Sequence, residues 1–162
     1  MPPPERYNKG YNVGVGGAVV KDGRLLLVRR ASRRGRGNWQ VPGGFVEQNE
    51  TIEEAVVREV AEESGVKAEV DGVLAIRNRY DSDNGNSVYV VILMHPVGGE
   101  PTPDAHEVDQ AAYFTMEEIL SLEQVPAVNV EVARRALNSE HSLLSPKTIA
   151  HSSGALYTLF IG

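Results

Sequence analysis

Residues 44–66 read GFVEQNETIEEAVVREVAEESGV, and this stretch decides the fold. Thr51 followed by Glu54 is a capping box, so a helix is predicted to start at Ile52. Gly65 is the expected stop. On a wheel of about 100° per residue, Ile52, Ala55, Val56, Val57 and Val60 form a broad apolar stripe suited to packing on a sheet. Glu59 and Glu63 fall inside the arc of that stripe, and Glu62 falls beside it. An ordinary surface helix keeps its glutamates on the opposite, solvated face, as Glu53 and Glu54 do. Glu59, Glu62 and Glu63 stand at i, i+3 and i+4, where like charges repel. Carboxylates gathered at a core edge are costly unless a cation neutralises them. Hard oxygen ligands of this kind suit Mg²⁺ or Mn²⁺. Helix geometry alone leaves two readings open, a metal site and a partly solvated acidic helix end.

The wider spacing bears on that choice. Gly44, five residues, Glu50, seven residues, Arg58-Glu59, an aliphatic, any residue, Glu62-Glu63, any residue, Gly65 and an aliphatic follow in order. This resembles the signature of the Nudix hydrolases at every fixed position. The resemblance implies an α/β class protein with the Nudix fold, an α/β/α sandwich around a mixed central sheet. It implies hydrolysis of a nucleoside diphosphate linked to another group. It also implies that Glu59, Glu62 and Glu63 hold divalent metal, Mg²⁺ or Mn²⁺, and that the Gly43 carbonyl reaches a metal. By the same resemblance, Glu50 and Arg58 support the site, Arg58 steadying the glutamates and meeting substrate. A further carboxylate is expected in the loop before a late strand, as metal ligand or general base. Glu107 matches by its place, with Asp104 and Asp109 as competitors. Either Glu62 or Glu107 would take the proton from water.

At 162 residues the chain suits one domain, with residues 1–10 a flexible Pro-rich start, 11–140 the hydrolase domain and 141–162 a tail belonging to the same domain. Apolar content of 41% and charged content of 23% are ordinary for a globular protein. No apolar run is long enough to span a membrane, and the first residues lack the apolar core of a signal peptide. Cytoplasm is therefore the expected compartment. The absence of cysteine excludes disulfides, thiol catalysis and zinc–thiolate sites. A net charge of −6 argues against a general nucleic-acid binder. Residues 44–66 carry seven glutamates against one arginine, while residues 24–38 carry six arginines and no acid. The bland reading is a solvated arginine loop beside an acidic helix; the sharper one is a polyanionic, metal-bound ligand, which the resemblance implies is a nucleotide-derived small molecule.

Along the chain, Val13–Val20 and Leu25–Arg30 read as a hairpin around Asp22-Gly23. Arg29 and Arg30, at the end of the returning strand, are either both solvent-facing edge residues or, as the resemblance implies, include one that meets phosphate, whose oxygens the guanidinium fork matches. Trp39 either stacks on a base or anchors the glycine turn in the core. Phe45-Val46 reads as a short strand, Val66–Arg79 as a long one, and Asp81–Asn86 as a polar turn better explained by Asn84-Gly85 than by a calcium loop. Ser87–His95 reads as a strand, Pro96–Asp104 as a loop, and Ala111–Phe114 as a short strand. Met116–Leu120 and Pro126–Asn138 read as helices, and His106 as a surface loop residue. Residues 139–154 read as a linker. Ala155–Ile161 reads as a strand that either joins the sheet or pairs with another subunit in a homodimer. The expected substrates are ADP-ribose-like diphosphates, dinucleoside polyphosphates or sugar nucleotides. The alternatives are a nucleoside triphosphate pyrophosphohydrolase of the nucleotide-sanitising kind and a non-catalytic nucleotide sensor.

Overall fold

The computed structural model describes residues 11–80, 85–150, 152–154 and 157–162. The expected flexible start, the core of the Asp81–Asn86 turn and the first two residues of the tail strand lie outside them.

Strands β1 (Asn12–Lys21) and β2 (Arg24–Arg30) form the predicted hairpin. Asp22 and Gly23 both adopt positive φ, 51° and 72°, the twist that a two-residue hairpin turn requires. Beyond Val20 the two strands part. β1 runs parallel to β6 (Ser87–Gly98), which pairs antiparallel with β5 (Lys67–Arg79). β2 instead takes β7 (Val108–Phe114) and the short β3 (Trp39–Gln40) as antiparallel partners. β4 (Gly43–Phe45) lies on β1. The sheet is thus mixed, with two wings joined at one hairpin. Residues 40–43 cross between the wings, where the Gly17 N–H donates to the Pro42 carbonyl at 2.8 Å.

Helix α1 (Ile52–Ser64) starts and stops where the local chemistry dictates. The Glu54 N–H donates to Thr51 Oγ1 at 3.1 Å, and the Thr51 N–H donates to Glu54 Oε2 at 3.0 Å. Gly65 ends the helix at φ 72°, a conformation that costs glycine nothing. Ala55, Val56 and Val60 are fully buried, whereas Val57, at the far edge of the predicted stripe, is 39% exposed. Its wheel position turns it away from the sheet, so the packed face is narrower than the periodicity implies.

Alternation along the strands sends side chains to opposite faces. Val15, Val19, Leu26, Ile92 and Met94 pack under α1. Ala18, Leu25, Leu27, Val91 and Leu93 pack under α2 (Met116–Ser121) and α3 (Ala127–Ala136). A helix layer on each face of a mixed sheet is the α/β/α sandwich that the resemblance implies. Gly17 lets α1 lie directly on β1, because a Cβ there would strike Val60.

Four elements differ from expectation. The short strand expected at Phe45-Val46 is Gly43–Phe45, because Gly16 and Val15 of β1 pair with the two glycines. β6 continues through Pro96 to Gly98, because β5 extends far enough to pair with it, with a bulge at Lys67/Ala68. β7 begins at Val108, three residues before the predicted strand, because Arg30 supplies a partner across a bulge. Residues 139–154 are not a plain linker: Ser145–Ile149 form β8, antiparallel to β9 (Tyr157–Ile161). The tail strand therefore pairs within its own chain. Leu144 and Val73 exchange backbone hydrogen bonds of 2.8 and 3.1 Å, fastening this hairpin to β5.

Candidate active site

The last two turns of α1 face β4 and the glycine turn. Glu63 is only 5% exposed, a place for a carboxylate that needs compensation. Its Oε2 accepts the Gly43 N–H at 3.0 Å. Glu59 is also inward, its side chain 13% exposed, whereas that of Glu62 is 60% exposed. A Cβ on Gly44 would lie 2.5 Å from Glu59 Oε1, so only glycine leaves room for this carboxylate. The wheel had separated the three glutamates in the same way.

Arg58 meets five acceptors. Its Nε and Nη2 grip Glu50 in a two-pronged pair at 2.9 and 2.6 Å. Its Nη1 donates to Glu59 at 2.8 Å and to Glu62 at 3.2 Å, and Nη2 also donates to the Phe45 carbonyl at 3.3 Å. These bonds take all five guanidinium N–H donors. Arg58 therefore steadies the glutamates and binds residues 45–50 to the helix, with no donor left over for substrate in this arrangement. The pairing holds the Glu50 carboxyl down at about 2, with help from the Glu47 N–H.

The inner carboxyls behave oppositely. Burial pushes Glu63 up to about 8, and the neighbouring charges of Glu59, Glu107 and Asp104 add to it, against the Gly43 N–H. Burial also raises Glu59, outweighing Arg58. Burying carboxyls beside one another disfavours their charged forms, and a bound cation would relieve that cost.

Glu59, Glu63, Glu107, Gly43 and Arg30 share one cavity of about 770 Å³, and His106, expected only at the loop surface, also lines it. Glu107 is thus brought in. Asp104 instead accepts the backbone N–H groups of His106, Glu107 and Val108 at 2.9–3.0 Å, folding the loop that carries Glu107. Asp109 pairs with Arg29 at 2.8 and 2.9 Å. That pair occupies Arg29, which also lies 6.0 Å from the Trp39 ring. Of the two strand-end arginines, Arg30 reaches the cavity, which Arg36 also lines, and it is held by the Arg34 carbonyl and Ser32 Oγ, each at 2.9 Å. Trp39 is 7% exposed and stands edge-on to Phe114 at 5.0 Å, a core position. Glu62 stays outside the cavity.

The ligand atoms that Glu59, Glu63 and Glu107 offer are carboxylate oxygens, which suit a hard divalent ion. Among the described residues, no three carboxylates or histidines already converge as a closed ligand shell. Two inward carboxyls at the glycine turn nonetheless fit such an ion, because burial raises each of them, and Glu63 has only the Gly43 N–H to offset it.

Residue-by-residue reading passed over Tyr89, Arg77 and Arg79. Tyr89 lies across Gly14 and Gly16 of β1 and reaches Gly43; a Cβ on Gly14 would come within 2.9 Å of its ring. The alternate glycines 14 and 16 were the available signal.

A family model described as NUDIX domain matches residues 10–136. Over 89 residues the chain is 40% identical to an ADP-ribose pyrophosphatase of Methanocaldococcus jannaschii, covering 54% of this chain and 53% of that protein. Over 126 residues it is 35% identical to the putative mutator protein MutT4 of Mycobacterium tuberculosis, covering 72% of this chain and 51% of that protein. The chain thus spans about half the length of these curated relatives. Among solved structures it superimposes on a MutT NUDIX hydrolase from Burkholderia pseudomallei with a TM-score of 0.68 at 29% identity, over 76% of this chain and 96% of the other. The box of glutamates, the sandwich that carries it and a match over most of the chain agree, and the chain belongs to the Nudix family.

Proposed function

We propose that this chain hydrolyses the pyrophosphate link of a nucleoside diphosphate derivative, using Mg²⁺, with Mn²⁺ as a substitute. The observation that carries the reading is Glu63: a buried carboxyl, anchored by the Gly43 N–H and facing Glu59 and Glu107 across a large cleft.

In this reading Glu59, Glu62, Glu63 and the Gly43 carbonyl would hold the metal. The bound ion supplies charge neutralisation on the phosphate oxygens and acidifies water. Arg30 clamps the phosphate farther from the scissile bond, and Arg29 braces it through Asp109. Glu107 accepts the proton as water oxygen bonds to phosphorus and the bridging P–O bond breaks, leaving two phosphate monoesters. Glu62 is the competing base. Arg58 keeps the glutamates apart and oriented.

ADP-ribose-like substrates are favoured by the likeness to the Methanocaldococcus protein. Dinucleoside polyphosphates and sugar nucleotides share the same link. A second reading, a nucleotide-sanitising triphosphate pyrophosphohydrolase, is favoured by the likeness to MutT4. A non-cutting sensor would suit a box with a missing glutamate, and none is missing here. The proposed compartment is the cytoplasm; no helix among the described residues is long and apolar enough to cross a membrane. A homodimer through β9 is supported by Tyr157, Leu159 and Ile161, which lie exposed at alternate positions of that strand.

The test is a hydrolysis screen with Mg²⁺ or Mn²⁺ over ADP-ribose, dinucleoside polyphosphates, sugar nucleotides and nucleoside triphosphates, followed by product analysis. Metal-dependent monophosphate products that vanish in Glu63→Gln support the reading. No turnover of any compound with either metal refutes it.

A further inference from the structure

A second cavity, of about 360 Å³, adjoins the first and shares Arg30, Gln40, Gly43, Gly44 and Phe45 with it. Its charged walls are Arg30, Arg77 and Arg79, and among the described residues no carboxylate lines it. Arg77 and Arg79 stand at alternate positions of β5, so they share one face of the sheet, opposite Tyr89 and Ser87 of β6.

Arg77 is fixed by Ser87, whose Oγ accepts from Nη2 at 2.6 Å, and by the Tyr89 ring, 5.1 Å below its guanidinium carbon. Its Nε has no partner among the described residues, and the same holds for the Nε of Arg79. Neither arginine has an acidic partner among those residues. The two cations also oppose each other: burial and the Arg79 charge both push Arg77 below the usual guanidinium value. Two arginines at alternate positions of one strand, each with its Nε unpaired and with no acid among the described lining residues, form a receptor for an oxyanion. The scissile diphosphate belongs beside the carboxylates of the other cavity, so a different anion is needed here.

We infer that Arg77 and Arg79 bind a phosphate monoester that the substrate carries outside its scissile diphosphate. This deepens the reading above and rests on it for the place of the diphosphate. The substrate class is then a nucleoside diphosphate derivative phosphorylated on its ribose or its distal group. An unphosphorylated relative would leave the two cations unmatched.

The experiment compares two matched pairs: ADP-ribose with 2′-phospho-ADP-ribose, and dephospho-coenzyme A with coenzyme A. Affinities are measured by calorimetry on the full chain in EDTA, so the readout needs no turnover. In the wild type, the phosphorylated member of at least one pair should bind about tenfold tighter or more. In the double variant R77M/R79M, checked by circular dichroism, the preference should fall below about threefold. R77K/R79K keeps charge without the fork and should retain an intermediate preference. The inference is overturned if both wild-type pairs lie within threefold, if no member binds at millimolar concentration, or if the preference survives in R77M/R79M. It is also overturned if R77M/R79M only melts earlier and keeps the ranking. Absence of metal-dependent hydrolysis in the screen would overturn the proposed reaction while leaving this binding test intact.

Discussion

Replacing Glu63 by glutamine removes a buried charge and keeps the shape. Glutamine retains an oxygen to accept the Gly43 N–H, so the turn need not move. The magnitude follows from the carboxyl's own equilibrium. In the unfolded chain it titrates near 4.5, and burial pushes it up to about 8 in the fold. A raised carboxyl adds no penalty below the unfolded value; the folded state loses stability as pH rises from about 4.5 to about 8. At pH 7.5 the penalty has a ceiling of roughly 4 kcal/mol, since each unit is about 1.4 kcal/mol. Metal-free Glu63→Gln should therefore be more stable than the wild type at pH 8 and nearly equal to it at pH 5. Each recovered kcal/mol is about 2–4 °C of Tm in a chain of this size. The assay is thermal melting in EDTA from pH 5 to 8, repeated with Mg²⁺. Wild-type Tm should fall toward pH 8, and Mg²⁺ should restore it there more than at pH 5. The variant should lose most of both responses, and hydrolysis should fall about 10²-fold or more. A wild-type Tm that does not fall over that range, a variant less stable than wild type at pH 8, or full turnover in the variant would refute the assignment.

Gly44→Ala should cut hydrolysis at least about tenfold with little change in Tm, because its Cβ displaces the Glu59 carboxylate rather than backbone; steady-state kinetics beside a melt checks this. Arg58→Met strands Glu50 and Glu59 and should lower the urea midpoint at pH 7. Because Arg58 holds Glu50 down at about 2, the stabilisation from that pair is present above about 4.5 and disappears as pH falls toward 2. Acid titrations of wild type and variant should therefore converge at the low end. Arg30→Met should raise KM more than Arg29→Met, since Arg30 lines the cleft and Arg29 is spent on Asp109; equal effects on KM would count against the clamp. Glu107→Gln should lower kcat more than it raises KM, and an unchanged kcat would transfer the base role to Glu62.

Local chemistry was legible without coordinates wherever a structure depends on residues three or four positions apart. The Thr51/Glu54 box, the Gly65 stop and the Asp22-Gly23 turn closed as read, because the partners of each lie within one turn of chain. The inward placement of Glu59 and Glu63 and the outward one of Glu62 followed from helical period alone. What the linear order could not decide was which of two adjacent or similar groups meets the cleft. Arg29 and Arg30 are chemically identical neighbours, and the choice fell to Asp109, 80 positions away, which claims Arg29 through the pairing of β2 with β7. The same contact removed Asp109 from competition with Glu107. β8 escaped notice because an exposed Ser-Pro-Lys-Thr-Ile segment has no apolar alternation of its own and becomes a strand only when β9 supplies its hydrogen bonds. The pocket of Arg77 and Arg79 belongs wholly to tertiary structure: it needs glycines 14, 16 and 43 to admit Tyr89, and β5 to deliver two arginines beside it. Covalent neighbours determine helix ends and turns, whereas a binding surface is assembled from strands that meet only once the sheet has closed.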